Sequence, residues 1–366
     1  MAIKIYHTGD NHIGMSFNNY PSVKKDLIKA RFLTLENMIF QANEEKADIF
    51  VIAGDLFHSI DVPIKDIEKT VNILNKFKGA CVLVLPGNHD YDSNKTKLWQ
   101  DFQKSGSEKI IILNEFKPYN LSEYNLDVTI YPAHCHSLHS SDNNLGWIKE
   151  SGLKDKSKYN IGVAHGAIEG LSADLVGKYF YMEKQELIDI PVDLWLLGHT
   201  HVAYPVSEKV FNHKIFNAGA PEADGLDFGG KGSAWIIELS EDRSVAHKIE
   251  TGMYEFFDKS FNVSSREDLE KIKAWALSDN PKLKLVRIDL SGSLSEGVYL
   301  TLSDFYENLE KELFYLIVID ENLKIKVDME TISQQFSQGS FPYEFLLSLA
   351  DDEEALQVAY DIVRRS

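Results

Sequence analysis

The stretch IFVIAGDLFHSIDVPIKDIEKTVNILNKFKGACVLVLPGNHD, residues 49–90, contains the pattern on which the fold turns. Two apolar runs, Ile49 to Ala53 and Cys81 to Leu85, read as buried strands, and each is stopped by a glycine followed by polar residues. The stops are Gly54-Asp55 and Gly87-Asn88-His89-Asp90. Between the runs, Pro63 opens a helix expected to reach about Lys78, with Ile64, Ile67, Val71 and Leu74 along one stripe. A strand–helix–strand order implies parallel pairing with a right-handed crossover. Both polar stops then lie at the C-terminal rim of one sheet, where ligands bind in open α/β folds.

The pattern recurs on either side. Ile3 to His7 precedes Asp10-Asn11-His12, Ile161 to Val163 precedes Ala164-His165-Gly166, and Leu194 to Leu197 precedes Gly198-His199-Thr200-His201. A helix is expected over Val23 to Asn43. After Asp90 the rhythm loosens, with strands expected near Ile110–Leu113, Val128–Tyr131, Lys214–Phe216, Ala234–Leu239 and Val245–Glu250. This half reads as more antiparallel, so the expected class is α/β: a two-sheet β-sandwich flanked by helices. The polar stretch from about Glu255 to Arg266 reads as a boundary, giving a main domain over 1–255. A small α+β domain is expected over 256–335, with helices Glu267–Ala276 and Leu302–Glu312 and strands Lys284–Leu290, Phe314–Ile319 and Leu323–Val327. Residues 336–366 read as a C-terminal helical segment carrying Leu346, Leu347, Leu356, Val358, Ala359 and Ile362.

Composition sets bounds on function. A hydrophobic fraction of 44% and a charged fraction of 26% belong to a globular chain, and no apolar stretch approaches membrane-spanning length. Met1-Ala2-Ile3-Lys4 runs into the first strand without a signal-peptide layout, and Cys81 falls in a buried strand beside one other cysteine, Cys135. A cytoplasmic chain without structural disulfides is the expectation. The 38 basic and 56 acidic residues give −18, a balance that opposes binding to a phosphate backbone without a basic strip or partner.

The five motifs carry a metal-ligand chemistry. Asp10 and His12 are two apart in an extended segment and can turn to one ion, as can His199 and His201. Asp55, the lone carboxylate after the second strand, is the natural bridge between two ions about 3.5–4 Å apart. Asn88 offers a neutral carbonyl oxygen, and His165 completes the set. Such a mixture fits Mn, Fe or Zn better than Mg or Ca. His89 follows a ligand but points elsewhere, so it is expected to stabilise the transition state or protonate a leaving oxygen. Asp90 is expected to accept a hydrogen bond from that ring and fix its tautomer. The parts together mean hydrolysis of a phosphate ester. Singly, an Asp-x-His or a Gly-Asp is as well read as a capped turn; it is the five in order that carry the inference. His134, His136 and His139 follow the Val128–Tyr131 strand and read equally well as cleft or surface loop.

In this order the motifs resemble the calcineurin-like metallophosphoesterase superfamily. Gly54-Asp55-Leu56-Phe57-His58 followed by Pro63 resembles the second motif of its SbcD-like DNA double-strand-break nuclease branch. Asn217-Ala218-Gly219-Ala220-Pro221-Glu222, with Lys231-Gly232-Ser233-Ala234 entering another strand, is similar to the same group. The resemblance implies that Asp10, His12, Asp55 and His201 hold one metal and that Asp55, Asn88, His165 and His199 hold the other. It implies His89 as catalytic histidine and His58 as an accessory one that positions the phosphodiester. It further implies a capping domain, manganese-dependent 3′-to-5′ exonuclease and single-strand endonuclease activity, and a homodimer. An SbcC-like ATPase gripped by the C-terminal helices is the implied partner; because the chain ends soon after Arg365, no longer partner-binding extension is expected. The competing readings are a small-molecule phosphatase or phosphodiesterase, whose metals see the same phosphate, and a non-catalytic scaffold, which a full ligand set disfavours.

Overall fold

Alternation within single strands decides the layering. The computed structural model describes residues 2–93, 96–153, 157–172, 177–327 and 329–365. Its first elements are β1 (Ile3–Thr8), α1 (Lys24–Glu44), β2 (Ile49–Ala53), α2 (Ile64–Leu74), β3 (Cys81–Leu85), α3 (Lys97–Ser105) and β4 (Ile110–Ile112). These four strands pair in parallel in the order β4-β3-β2-β1. Every residue of β2 and β3 is buried because both faces of the sheet are covered. Phe50 and Ile52 turn towards Leu35 and Met38 of α1, Val71 of α2 and Trp99 and Phe102 of α3. Ile49, Val51 and Ala53 turn to the other side, into a core shared with a second sheet.

That second sheet follows from β5 (Tyr119–Asn120), β6 (Val128–Ala133), α4 (Gly146–Ser151), β7 (Tyr159–His165), α5 (Lys184–Asp189), β8 (Leu194–Gly198) and β10 (Ile215–Asn217), while β9 (Lys209–Phe211), between the last two, joins the first sheet. Its order is β10-β8-β7-β6-β5, and Val128, Ile130, Ile161, Val163, Leu194 and Leu196 meet the first sheet in the shared core. Its outer face packs Tyr131, Trp195 and Leu197 against Ile148 of α4 and Leu187 of α5. The two-sheet sandwich with helices outside is therefore present. The antiparallel half is elsewhere than expected. β6, β7, β8 and β10 are parallel, since long helical connections join the first three, and only β5 is antiparallel. The antiparallel strands β11 (Ser233–Leu239) and β12 (Ser244–Glu250), joined by a turn in which the Ser240 amide donates to Arg243 O at 2.9 Å, extend the first sheet from β1, with β9 beyond them.

The chain divides into two compact units, residues 1–255 and 256–366. The polar stretch read as a boundary is β13 (Glu255–Val263), an edge strand of a three-stranded sheet. Then come α6 (Arg266–Ala276), opened by a capping box between Ser265 and Asp268, β14 (Lys284–Leu294), α7 (Glu296–Tyr299), α8 (Leu302–Glu312) and β15 (Tyr315–Ile325). The two strands expected over 314–327 are one, because a register shift opposite Asp289–Ser291 absorbs the polar Asp320-Glu321-Asn322 segment without ending the pairing. Finally α9 (Met329–Gln335), α10 (Phe341–Leu347) and α11 (Glu353–Arg365) close on Ile332, Leu346, Leu356 and Tyr360. Phe341, Val358 and Ile362 remain exposed. Among the described residues no helix is long and apolar enough to cross a membrane.

Candidate metal centre

Five strand ends meet at one rim of the sandwich, and their backbones turn sharply to get there. Asp10, His12, Asp55 and His199 have φ of 52°, 47°, 50° and 93°, a region costing a non-glycine residue of the order of 1–3 kcal/mol. The turns are held by pairing between loops: the Asp10 amide donates to Gly54 O at 3.0 Å and the His12 amide to Asp55 O at 2.9 Å. Close approach also selects glycine. A Cβ on Gly54, whose φ is +92°, would stand 2.0 Å from His165 Nδ1, and one on Gly87 would stand 2.2 Å from Asp55 Oδ1.

One group of ligand atoms surrounds Asp55 and Asn88. His165 Nδ1 lies 2.8 Å from Ala53 O, and since a carbonyl only accepts, the proton is on Nδ1 and the Nε2 lone pair faces inward. That nitrogen is 3.0 Å from Asn88 Oδ1 and 3.3 Å from Asp55 Oδ2. His199 Nδ1 lies 3.0 Å from the same Asn88 oxygen, whose orientation is set by Nδ2 donating to Leu138 O at 3.4 Å. The Asp55 carboxylate divides its two oxygens between tasks. Oδ1 accepts the His89 amide at 2.8 Å, whereas the fully buried Oδ2 has no hydrogen-bond partner.

The other group surrounds Asp10. His12 Nε2 is 3.9 Å from the same Asp55 Oδ2 and 3.4 Å from His201 Nε2, which is itself 4.0 Å from Asp10 Oδ1. His201 Nδ1 lies 3.0 Å from Asp224 Oδ2, so that carboxylate holds the proton on Nδ1 and leaves Nε2 as a ligand atom. Asp10 accepts the His199 amide at 3.1 and 2.9 Å, tying the two groups together. Asp10, His12 and His201 form one set with ligand atoms within 4.8 Å of one another, and Asp55, His165 and His199 form a second. Lone pairs that converge in this way repel unless a cation lies among them, and Asp55 Oδ2 is aimed at both sets. The donors present therefore fit two divalent ions sharing one carboxylate.

The field of the chain points the same way. Burial disfavours charge on His165, yet Asp55 and Asp10 lift its pKa to about 9. Burial likewise opposes charge on His201, and Asp224 and Asp10 lift it to about 9. Burial pushes Asp10 up to about 6 against the pull of His165 and His201. For Asp55 burial is overcome, and His165 and His12 hold the carboxyl well below its usual range. Positive charge is favoured at two points of this pocket.

His89 and His58 stack beside these groups, with ring centroids 5.2 Å apart and an interplanar angle of 20°. His89 Nδ1 donates to His58 O at 3.2 Å, which leaves Nε2 for exchange with a bound molecule. His58 Nδ1 lies 3.4 Å from His12 Nδ1, and burial holds its pKa below the ordinary imidazole value. Asp90 has a different task from the expected one. Its carboxylate accepts the Gly87 amide at 2.7 Å and the Phe57 amide at 2.9 Å, pinning the two motif loops together, while the His89 ring bonds the His58 carbonyl instead. Backbone amides captured it because it is fully buried beneath the loop, where burial lifts its pKa to about 8.

A family model described as calcineurin-like phosphoesterase matches residues 3–203, more than half of the sequence. The chain belongs to the calcineurin-like phosphoesterase family. Metallophosphoesterases bind two divalent metals, and the His and Asp sets of this phosphoesterase can hold them. Among curated proteins it is similar to the SbcD component of the nuclease SbcCD of Staphylococcus saprophyticus, 26% identical over 235 residues, 58% of this chain and 60% of that protein. It is also similar to the DNA double-strand break repair protein Mre11 of Methanosarcina mazei, 33% identical over 107 residues, 28% of this chain and 16% of that protein. The match spans less than two thirds of either relative. Among solved structures it is similar to the calcineurin-like phosphoesterase YfkN from Bacillus subtilis, at 14% identity and a TM-score of 0.42, over 68% of this chain and 91% of that one.

The three remaining histidines of the 134–139 loop split. His134 is buried and stacked on Phe116 at 4.3 Å. His136 is exposed, with Nδ1 3.2 Å from Asn144 Nδ2. His139 is exposed and meets Tyr179 edge-on, and Tyr179 in turn stacks on His199 at 5.5 Å, so this loop borders the set around Asp55. Two charged groups of this phosphoesterase escaped sequence reasoning: Asp224, behind His201, and buried Arg31, whose guanidinium reaches Asn11, Glu222 and Ala223 carbonyls. Burial raises the Asp224 carboxyl, but His201 and Arg31 outweigh it and hold the group well below its usual range. Asp224 lies just past the Asn217–Glu222 motif, which was its one available signal.

Proposed function

We propose that this chain is a two-metal phosphodiesterase acting on DNA, with 3′-to-5′ exonuclease and single-strand endonuclease activity in double-strand-break processing. The observation that carries the hydrolase is the partnerless Asp55 Oδ2, set between His12 and His165 Nε2 at 3.9 and 3.3 Å. Asp10, His12, Asp55 and His201 hold one cation and Asp55, Asn88, His165 and His199 the other, manganese being the proposed metal over iron or zinc. When bound, the pair withdraws charge from the phosphate and activates water for in-line attack. His89, with Nδ1 anchored to the His58 carbonyl, presents Nε2 to give a proton to the leaving oxygen. His58, stacked on it and partly exposed, positions the phosphodiester.

DNA as substrate is supported by the names of the SbcD and Mre11 relatives and by His58 after the Gly54-Asp55 motif. A cytoplasmic homodimer with an SbcC-like ATPase docked on the C-terminal helices belongs to the same reading, and exposed Phe341, Val358 and Ile362 support a partner there. One observation favours the alternative of a small phosphodiester substrate: the net charge of −18 opposes a polyanion. The deciding assay offers labelled linear duplex, single-stranded DNA and bis-p-nitrophenyl phosphate in Mn or Mg. Cleavage of both DNAs is expected; turnover of the chromogenic ester alone would transfer the assignment to the small-molecule reading.

A further inference from the structure

We propose that Arg31 and Asp224 are positioning residues for one of the two cations, acting through His201, in a device built from helix α1 and the loop after Asn217. The proposal rests on the two-cation reading and adds to it a cause for the geometry of a partly exposed ligand. His201 follows the end of β8, with a side chain 35% exposed, and its backbone alone does not aim its ring. The aim comes from Asp224 Oδ2, 3.0 Å from Nδ1, which selects the tautomer and turns Nε2 towards Asp10 and His12.

Asp224 is itself on a loop, and a carboxylate on a free loop would position nothing. This loop is clamped from two sides. Arg31 donates to Glu222 O at 2.9 Å and Ala223 O at 3.2 Å, and the same guanidinium reaches Asn11 O at 3.4 Å, between the ligands Asp10 and His12. One planar fork thus ties the loop behind His201 to the loop that carries two further ligands. Thr34, one helical turn along on the same face of α1, donates to Glu222 Oε2 at 2.5 Å. The Glu222 carboxylate also accepts the Met253 amide at 2.7 Å and the Tyr254 amide at 2.9 Å. Thr251 Oγ1 donates to Pro221 O at 2.6 Å. The stretch Pro221 to Asp224 is held along its length, and the two terminal nitrogens of the buried arginine go to backbone carbonyls and a sulfur.

The test is calorimetric titration of the full chain with Mn. In Asp224→Ala, one of the two Mn affinities falls by about 10–100-fold while the other is unchanged. Asp224→Asn keeps an oxygen that accepts the Nδ1 proton, so its loss is smaller and confined to the same site. Arg31→Met keeps the stem without the fork and weakens that site as well. On a His201→Ala background, Asp224→Ala adds no further loss, an outcome a purely structural role would not give. Both affinities unchanged in Asp224→Ala, both weakened equally, or an added loss on the His201→Ala background would each overturn the proposal. If Asp224→Ala does not fold, Asp224→Asn decides in its place, with an unchanged or evenly spread affinity overturning the proposal. An unchanged Arg31→Met removes Arg31 from the device. Wild-type chain that binds no Mn overturns the two-cation reading first, before any variant is compared.

Discussion

In the proposed centre the two halves share one oxygen and are built by different means. The set around Asp55 is oriented by main chain: the tautomer of buried His165 is set by the carbonyl of Ala53, and Gly54 and Gly87 let backbone press against the ligands. The set around Asp10 is buried to the same degree, two residues buried and one partly exposed, but its His201 is oriented by a side chain from a distant loop. Main-chain carbonyls come with the fold, whereas an orienting carboxylate has to be placed by separate packing. The half around Asp55 should therefore be hard to perturb except through backbone, and the half around Asp10 should respond to single side-chain changes.

Asp55→Asn attacks the shared oxygen and should break both halves at once. Hydrolysis is expected to fall about a thousandfold or more with loss of bound metal on elemental analysis; a variant that keeps full activity removes the bridge. His89→Ala removes a ring that meets His12 edge-on at 5.0 Å but supplies no ligand in this reading. It should keep both metals and lose about a hundredfold to ten-thousandfold in turnover, and metal loss would reassign His89 as a ligand. Gly54→Ala strikes the half around Asp55 most directly, since its Cβ would meet His165 Nδ1 at 2.0 Å. Mn titration should show one site weakened by about 10–100-fold, together with a lower melting temperature; two equal losses would mean that the halves are not separable.

The smallest effect is a dependence on pH that both halves share. His165 and His201 are raised to about 9, above the ordinary imidazole value. The stability that their protons contribute is complete below about pH 6.5 and is lost as pH rises through about 9. A cation must displace those protons, so Mn affinity should climb across that window with about one proton released per ion near neutrality. Calorimetry in buffers of different ionisation enthalpy counts them, and zero release would contradict the shared field.

What could be read in advance follows from locality. Asp10, His12, Asp55, Asn88, His165, His199 and His201 each sit within a few residues of an apolar run, so strand and ligand are visible in one window, and the structure brings all seven together. Asp90 was visible as a residue but not as a task, because its partners, the Gly87 and Phe57 amides, are fixed only when two loops meet. Arg31 lies on a helix, where a basic residue reads as solvated; packing against Asn11, Met15, Glu222 and Ala223 buries it. The sheet assignment of β11 and β12 was hidden for a similar reason, since antiparallel strands look alike in sequence whichever edge they join.

The order of residues alone determined which side chains stand at strand ends, because a two-residue strand period and a turn-forming glycine act over only a few positions. Tertiary structure decided which nitrogen of His89, His165 and His201 is anchored by another loop, what Asp90 holds, and that Arg31 and Asp224 stand behind the proposed ligands. Those depend on hydrogen-bond partners from other loops, and a partner from another loop is close only after the sheets have packed.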